Sequence, residues 1–529
     1  MHPDTVPRDA GRPPQDSPFG SPSQSSSVVE LSYPCEPSPD ESKQHGLPSR
    51  RSSSFVNLSL RDGQLYDETK CVDVTDIVSH SFEQQSERKQ RGPLTEAQRE
   101  AARKAREWHA CLRCRSQHVR CIPNKDNPDD RDAPCLTCLS VSKTKKTIHN
   151  SLCFRLDVTT IVLYRSGGLK LTRRWEGTQV KDVGDWADDN IRVIQMTQGL
   201  CRTPVTLRVR RFNPNDGDVL VRRWVDNGVA ETQDLPPYAL ADIHETATVF
   251  EAYLRNHALE GLTEAVRGSD ELVERTYAMI FEHYYQLQTK EKKTNTEKKL
   301  LHDLIKFTFS IRHMTGSSWI CGEETLGIQP NQNANYPLGN KLSLPRTIIA
   351  QFDSIQSEII LKRSAPLVLK RLVEFIYSNN PSCWFTMYLA IFMLLHEISH
   401  STQDRYRHAR QNLAPGSCSL SCPVQTRYGP LDFFVEQMQA GANTLLRAWQ
   451  YYKCVDLANF DWETRMNSRM SRMTPEQADF VKWSTQTIAK RRPTIPTTCQ
   501  DGCWEHPLYF VSHMFTEWSP VPTYNYMPA

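Results

Sequence analysis

Apolar side chains alternate with threonine and arginine over residues 205–212, the period of two that is typical of a strand with one buried face. Three further β-like runs cover residues 159–164, 191–197 and 219–225. The turn-rich segment 213–218 separates two of these runs and predicts that 205–212 and 219–225 form a hairpin. The pattern therefore predicts a small antiparallel β region over residues 157–235.

Past Pro237 the apolar positions recur at the three-to-four-residue spacing of amphipathic helices. Helices are expected at about 240–255, 270–288, 297–313, 344–377 with a break near Pro366, 384–400, 431–452 and 475–490. The apolar run from Cys383 to Leu395 is shorter than the roughly 20 residues that a membrane span needs, so we expect a buried helix there. The fold class expected is multidomain, with a mostly α-helical domain over residues 236–529 that we expect to be regulatory.

Residues 1–92 lack such periodicity and are rich in proline, serine, aspartate and glutamine. This composition cannot bury enough apolar surface to offset the entropy of ordering, and it predicts a disordered N-terminal tail. No basic-then-apolar leader opens the chain, so we expect a reducing compartment in which cysteines are thiols or metal ligands. From Thr95 a capping box predicts a short basic helix, within a module that spans residues 93–156.

Positive charge is concentrated in that module. The whole chain has a net charge of only +3, but residues 84–125 contain eleven Lys or Arg against four Glu. Attraction to nucleic acid therefore has to come from this segment and not from the protein as a whole.

Six cysteines follow the basic helix in two similar halves. The candidate metal ligands are Cys111, Cys114, Cys121, Cys135, Cys138 and Cys153. Each half begins with a Cys-x2-Cys pair, a spacing that lets two sulfurs reach one zinc ion. Six thiolates complete two zinc tetrahedra only if two sulfurs are shared. The alternative is a single zinc held by the two Cys-x2-Cys pairs, with Cys121 and Cys153 as ordinary buried thiols.

The spacing, together with Arg115 and with Pro134 before the fourth cysteine, resembles the fungal six-cysteine binuclear zinc cluster, the C6-type zinc finger of transcription factors. The resemblance implies that Cys111 and Cys135 bridge two zinc ions. It further implies that Cys114 and Cys121 complete the first site, and that Cys138 and Cys153 complete the second. The final gap of fourteen residues is about twice the length usual in that family.

The same resemblance implies that the helix after the first cysteine pair enters the DNA major groove. The candidate DNA-binding residues are Arg113, Arg115, Gln117, His118 and Arg120. Gln117 and His118 stand where the family usually has adjacent basic residues, which predicts an altered sequence preference. No heptad pattern follows Cys153, so dimerisation is not supported by the sequence.

The function expected is a nuclear, sequence-specific DNA-binding transcription factor that acts on RNA polymerase II transcription and is not an enzyme. Its expected partners are double-stranded DNA and, through the N-terminal tail, the transcription machinery, with no membrane. The alternative is a zinc-stabilised module that binds protein or RNA without reading bases.

A third hypothesis rests on residues 396–400, whose sequence HEISH matches the H-E-x-x-H motif of zinc proteases. In such proteases the two histidines bind zinc and the glutamate acts as general base. The residues that follow lack the third histidine of the extended motif. A polar end to a buried helix is the commoner origin of this pattern.

Overall fold

The computed structural model describes residues 95–96, 99–100, 103, 110–124, 133–142, 153–156, 161–165, 174–175, 180–227, 229–289, 295–411, 425–426, 429–464, 467, 469–496 and 506–516. The chain divides into the units Met1–Arg91 and Gly92–Ala529, and every described residue belongs to the second. The disordered tail predicted for 1–92 lies outside the described residues. Of the predicted basic helix, the described positions Glu96, Arg99, Glu100 and Arg103 are helical.

An antiparallel sheet of five strands, in the order β5-β2-β1-β6-β7, forms one side of the body. Its strands are β1 (Trp186–Thr197), β2 (Val205–Phe212), β5 (Tyr238–Leu240), β6 (Trp319–Cys321) and β7 (Leu342–Ser343). The strands predicted at 191–197 and 205–212 are confirmed, and the alternation in β2 buries Val205, Leu207 and Val209 as its period requires. Two strands of this sheet come from residues 319–343, far beyond the run of β-like sequence.

The predicted pairing of 205–212 with 219–225 is wrong. β2 pairs with β1 and β5, whereas β3 (Val221–Asp226) pairs with β4 (Val229–Asp234) in a separate ribbon. The stronger turn signal is Asn227-Gly228, since Asn227 has a φ of 48° and a two-residue Asn-Gly connection matches the twist of a hairpin. The β-like run at 159–164 is also not a strand at its described residues, 161–164.

Helices follow the sheet. They are α3 (Ile243–Val266), α4 (Glu271–Thr289), α5 (Asn295–Thr315), α6 (Arg346–Ser354), α7 (Lys362–Ser378), α8 (Trp384–Gln411), α9 (Leu431–Lys453), α10 (Pro475–Arg491) and α11 (Tyr509–Ser512). Two short helices, α1 (Leu112–Ser116) and α2 (Leu136–Ser142), precede the sheet, and a two-stranded ribbon of β8 (Gln425–Thr426) and β9 (Gly429–Pro430) precedes α9. The small sheet and the mostly helical region confirm the predicted fold class.

The predicted break near Pro366 is wrong, because the chain stays helical from Arg346 to Ser378. A π-helical segment, Ile355–Leu361, joins α6 to α7, and the Lys362 N–H donates to Ser357 O five residues earlier. Proline lacks an N–H and crowds the carbonyl four residues before it. The wider π turn changes the hydrogen-bond spacing just ahead of Pro366, so the helix accommodates this residue without ending.

Helix α8 forms the centre of the core and packs against α5, α9 and α11. The stretch Pro381–Arg405, which includes most of α8, is long and apolar enough to cross a membrane. However, 94% of its apolar 18-residue window is buried inside the protein, as expected of a core helix. This burial confirms the buried helix predicted from the run Cys383–Leu395. Sheet and helices share one hydrophobic core, which also includes Leu112 and Phe154 from the cysteine-rich segment.

Candidate metal centre

Each Cys-x2-Cys pair begins a short helix. Cys111 is the N-cap of α1, and its sulfur accepts the N–H of Cys114 at 3.4 Å. The sulfur of Cys135 accepts the N–H of Cys138 at 3.3 Å in the same way at the start of α2. The two halves therefore have the same local geometry, which turns both sulfurs of each pair inward.

The four sulfurs of these pairs form a compact buried group. The Sγ atoms of Cys111 and Cys138 are 3.6 Å apart, those of Cys114 and Cys135 are 3.7 Å apart, and the other two cross-pair distances are 3.9 and 4.0 Å. A tetrahedron with zinc–sulfur bonds of about 2.3 Å has edges of about 3.8 Å. The separations therefore fit four thiolates around one zinc ion.

Cys121 and Cys153 pack against the outside of this group. The Cys153 sulfur accepts the N–H of Cys135 at 3.2 Å, so the long final gap still returns this cysteine to the cluster. All six cysteines thus lie in one cluster, with the four sulfurs of the Cys-x2-Cys pairs at its centre.

Shared protons set the charge of the sulfurs. The pKa values of Cys135 and Cys138 are held far below the ordinary thiol range, chiefly by the hydrogen bond that each makes with Cys111. The pKa of Cys111 is raised, chiefly by its hydrogen bond with Cys121. Closely packed sulfurs can all become thiolates only if a cation replaces the protons between them. The donor set suits zinc, which binds cysteine thiolates at tetrahedral sites.

Hydrogen bonds join the two halves below the sulfurs. The Thr137 hydroxyl donates to Arg120 O at 2.7 Å and accepts the Ile122 N–H at 3.2 Å. The Leu136 N–H donates to Ile122 O at 2.8 Å. These bonds fix the chain after Cys121 against the start of α2.

The basic residues of the cluster fall into two environments. Arg113 is only 5% exposed and its side chain donates to the Cys138 sulfur, so it compensates sulfur charge. Arg115, Gln117, His118 and Arg120 are exposed on the outer side. We call these four residues the outer face. Its backbone turns sharply at His118, which has a φ of 52°.

The cluster also contacts the helical body. The Arg115 guanidinium lies 3.7 Å from the ring centroid of Tyr377 on α7, a contact that sequence reasoning missed because 262 residues separate the partners. Leu112 is 2% exposed, and its N–H donates to Phe154 O at 2.8 Å. The guanidinium of Arg447 on α9 also contacts this segment, since it lies 5.4 Å from the centroid of the Phe154 ring.

A family model described as KpeA transcription factor matches residues 166–514, about two thirds of the chain. The chain belongs to the KpeA transcription factor family. The matched KpeA region contains the sheet and the long helices and begins after Cys153, so membership does not depend on the cysteine cluster. No curated protein and no solved structure matches the chain.

The HEISH segment lies inside the KpeA region and is part of a buried polar network. The Glu397 side chain is fully buried, and its Oε1 accepts from Arg312 Nη2 at 2.6 Å and from the Tyr277 hydroxyl at 2.6 Å. His396 Nδ1 lies 3.2 Å from the same hydroxyl, and His400 Nε2 lies 3.1 Å from the Thr315 hydroxyl. Glu397 is thus paired with a guanidinium inside the core, which differs from the general base that H-E-x-x-H proteases hold beside zinc.

Proposed function

We propose that the chain is a nuclear, sequence-specific DNA-binding regulator of RNA polymerase II transcription, which reads DNA through a two-zinc cluster of the fungal C6 type. The observation that carries the proposal is a buried cysteine cluster, against which Cys121 and Cys153 also pack, directly beside an exposed basic face. Membership of a transcription factor family supports the nuclear location and the regulatory role.

In this proposal the two zinc ions share Cys111 and Cys135. Cys114 and Cys121 complete one site, and Cys138 and Cys153 complete the other. Cys121 and Cys153 support this assignment, because they pack against the four-sulfur group and supply the two further ligands that a second zinc needs. Arg113 offsets the residual negative charge of six thiolates and two zinc ions.

The outer face supplies the DNA contacts. Arg120 would hold a phosphate or a guanine edge, and Gln117 and His118 would address bases. Arg115 would join them when its guanidinium leaves the Tyr377 ring. The remaining division of labour follows the sequence: a tail over 1–92 for the transcription machinery, a module over 93–156 for DNA, a β region over 157–235, and a helical region over 236–529 for regulation.

Binding to duplex DNA tests the function. The full chain should select one sequence from a random pool and lose affinity steeply with salt, because phosphate contacts release counterions. Arg120→Ala should lower affinity and reduce the salt slope by roughly one. Arg223→Ala, which removes an exposed arginine of β3, is the matched control and should change neither. Equal affinity for all duplexes at every salt concentration would favour the module that binds protein or RNA.

Metal content tests the cluster separately. Replacing both Cys111 and Cys135 by serine should remove two zinc equivalents per chain relative to the wild type, since both sites lose ligands. Loss of one equivalent would instead support the single-zinc alternative formed by Cys111, Cys114, Cys135 and Cys138.

A further inference from the structure

We propose that Cys201, His257 and Glu260 form a second, exchangeable zinc site in the KpeA region, separate from the six-cysteine cluster. Cys201 lies in the loop between β1 and β2, and the other two residues lie on α3. Their ligand atoms all lie within 4.8 Å of one another. This site goes beyond the proposed DNA-binding function and does not depend on it.

The local structure gathers the three side chains. His257 and Glu260 are three residues apart on a helix and therefore share one face, with His257 Nδ1 3.3 Å from Glu260 Oε2. The loop is fixed to the same face, because the Arg202 N–H donates to Glu260 Oε1 at 2.9 Å and the Cys201 sulfur lies 3.8 Å from His257 O. Zinc binds these donors at about 2.0–2.3 Å, so ligand atoms that all lie within 4.8 Å of one another are close enough for one ion to be placed between them after the side chains adjust.

The donor set selects the class of metal. A thiolate and an imidazole favour zinc over magnesium or calcium, which prefer oxygen ligands throughout. The Glu260 side chain is 40% exposed, so solvent can supply the fourth ligand. Three protein ligands and an open position suit a metal that exchanges with its surroundings.

Zinc at this site would join the β1–β2 loop to α3. The same helix packs against β2, and its first turn is paired with that strand through Glu245 and Arg208, whose Oε2 and Nη1 are 2.7 Å apart. Metal binding would therefore strengthen the contact between the sheet and the helical part of the KpeA region.

The test is metal binding by the full chain with its cysteine cluster loaded. At saturating zinc the wild type should bind one equivalent more than Cys201→Ser, and Cys454→Ser, which replaces an exposed cysteine, should match the wild type. In a cobalt titration, the additional thiolate-to-cobalt absorption should appear in the wild type and be lost in Cys201→Ser. Equal metal content and equal spectra in the wild type and Cys201→Ser would overturn the proposal.

A surface variant keeps the test decisive if Cys201→Ser fails to fold. Glu260→Gln retains an acceptor for the Arg202 N–H but removes the charged ligand, and it should weaken zinc binding by roughly tenfold or more. Unchanged binding in Glu260→Gln would count against the site. These outcomes are independent of the cluster, because the Cys111 and Cys135 double variant measures the cluster zinc on its own.

Discussion

Replacing Arg312 by methionine should destabilise the helical core strongly. Arg312 is 7% exposed and Glu397 is fully buried, and the guanidinium donates to Glu397 Oε1 at 3.0 Å from Nε and 2.6 Å from Nη2. Burial by itself would raise the pKa of Glu397, but the Arg312 charge, the His396 hydrogen bond and the nearby His400 together outweigh burial, and the pKa is lowered. The substitution leaves a buried carboxylate that keeps the Tyr277 hydroxyl as a hydrogen-bond donor but has lost its guanidinium partner.

Breaking a buried ion pair by removing one partner costs about 3–5 kcal/mol, whereas replacing both partners by apolar side chains of similar volume is often neutral. We therefore expect Arg312→Met to lower the free energy of unfolding by about 3–5 kcal/mol. The double variant with Glu397→Met should recover at least about 2 kcal/mol of that loss. The recovery stays incomplete because the Tyr277 hydroxyl then loses its 2.6 Å bond to the carboxylate and keeps only the longer contact of 3.2 Å with His396 Nδ1, which costs about 1 kcal/mol.

Urea unfolding followed by helical circular dichroism measures these differences, provided that the slope with denaturant stays constant. A lowered pKa contributes stability above the unfolded value of about 4.3, and this stability is lost as pH falls. The unpaired carboxyl in Arg312→Met instead becomes neutral more easily as pH falls. The gap between wild type and variant should therefore narrow towards acid pH. A loss below about 1 kcal/mol, or a double variant no more stable than the single one, would refute the reasoning.

Three further outcomes are expected. Glu397→Gln should leave peptide hydrolysis at the background of the wild-type preparation, because Glu397 is a structural partner of Arg312; a specific loss of hydrolysis would revive the protease hypothesis. Gly261→Ala should lower the free energy of unfolding, measured by thermal unfolding, by about 1–3 kcal/mol, because the added methyl group would overlap the Phe309 ring. Gly184→Ala should be neutral, because a methyl group there meets no described atom within 4 Å. Removing zinc with a chelator should abolish duplex binding and expose residues 110–156 to limited proteolysis, while the circular dichroism of the long helices persists.

The sequence predicted those elements whose signals are local. The long helices and the alternation in β2 follow from periodicity, and the grouping of Cys111, Cys114, Cys135 and Cys138 follows from the Cys-x2-Cys spacing. The pairing of β2 was mispredicted because strand partners depend on contacts far along the chain, and β6 and β7 are too short to carry a pattern. At the candidate site, sequence could identify six cysteines but not the burial of Arg113 or the partner of Arg115, since both depend on packing.

One residue decides where this protein can be divided. Leu112 stands between a zinc-ligand candidate and Arg113, yet its side chain belongs to the core of the body, and its N–H is bonded to Phe154. A fragment that ends soon after residue 156 would leave the Leu112 and Phe154 side chains without the core residues against which they pack. Expression boundaries for biophysical work should therefore include the KpeA region, and a poorly behaved short fragment would reflect an opened interface and not an inability to hold zinc.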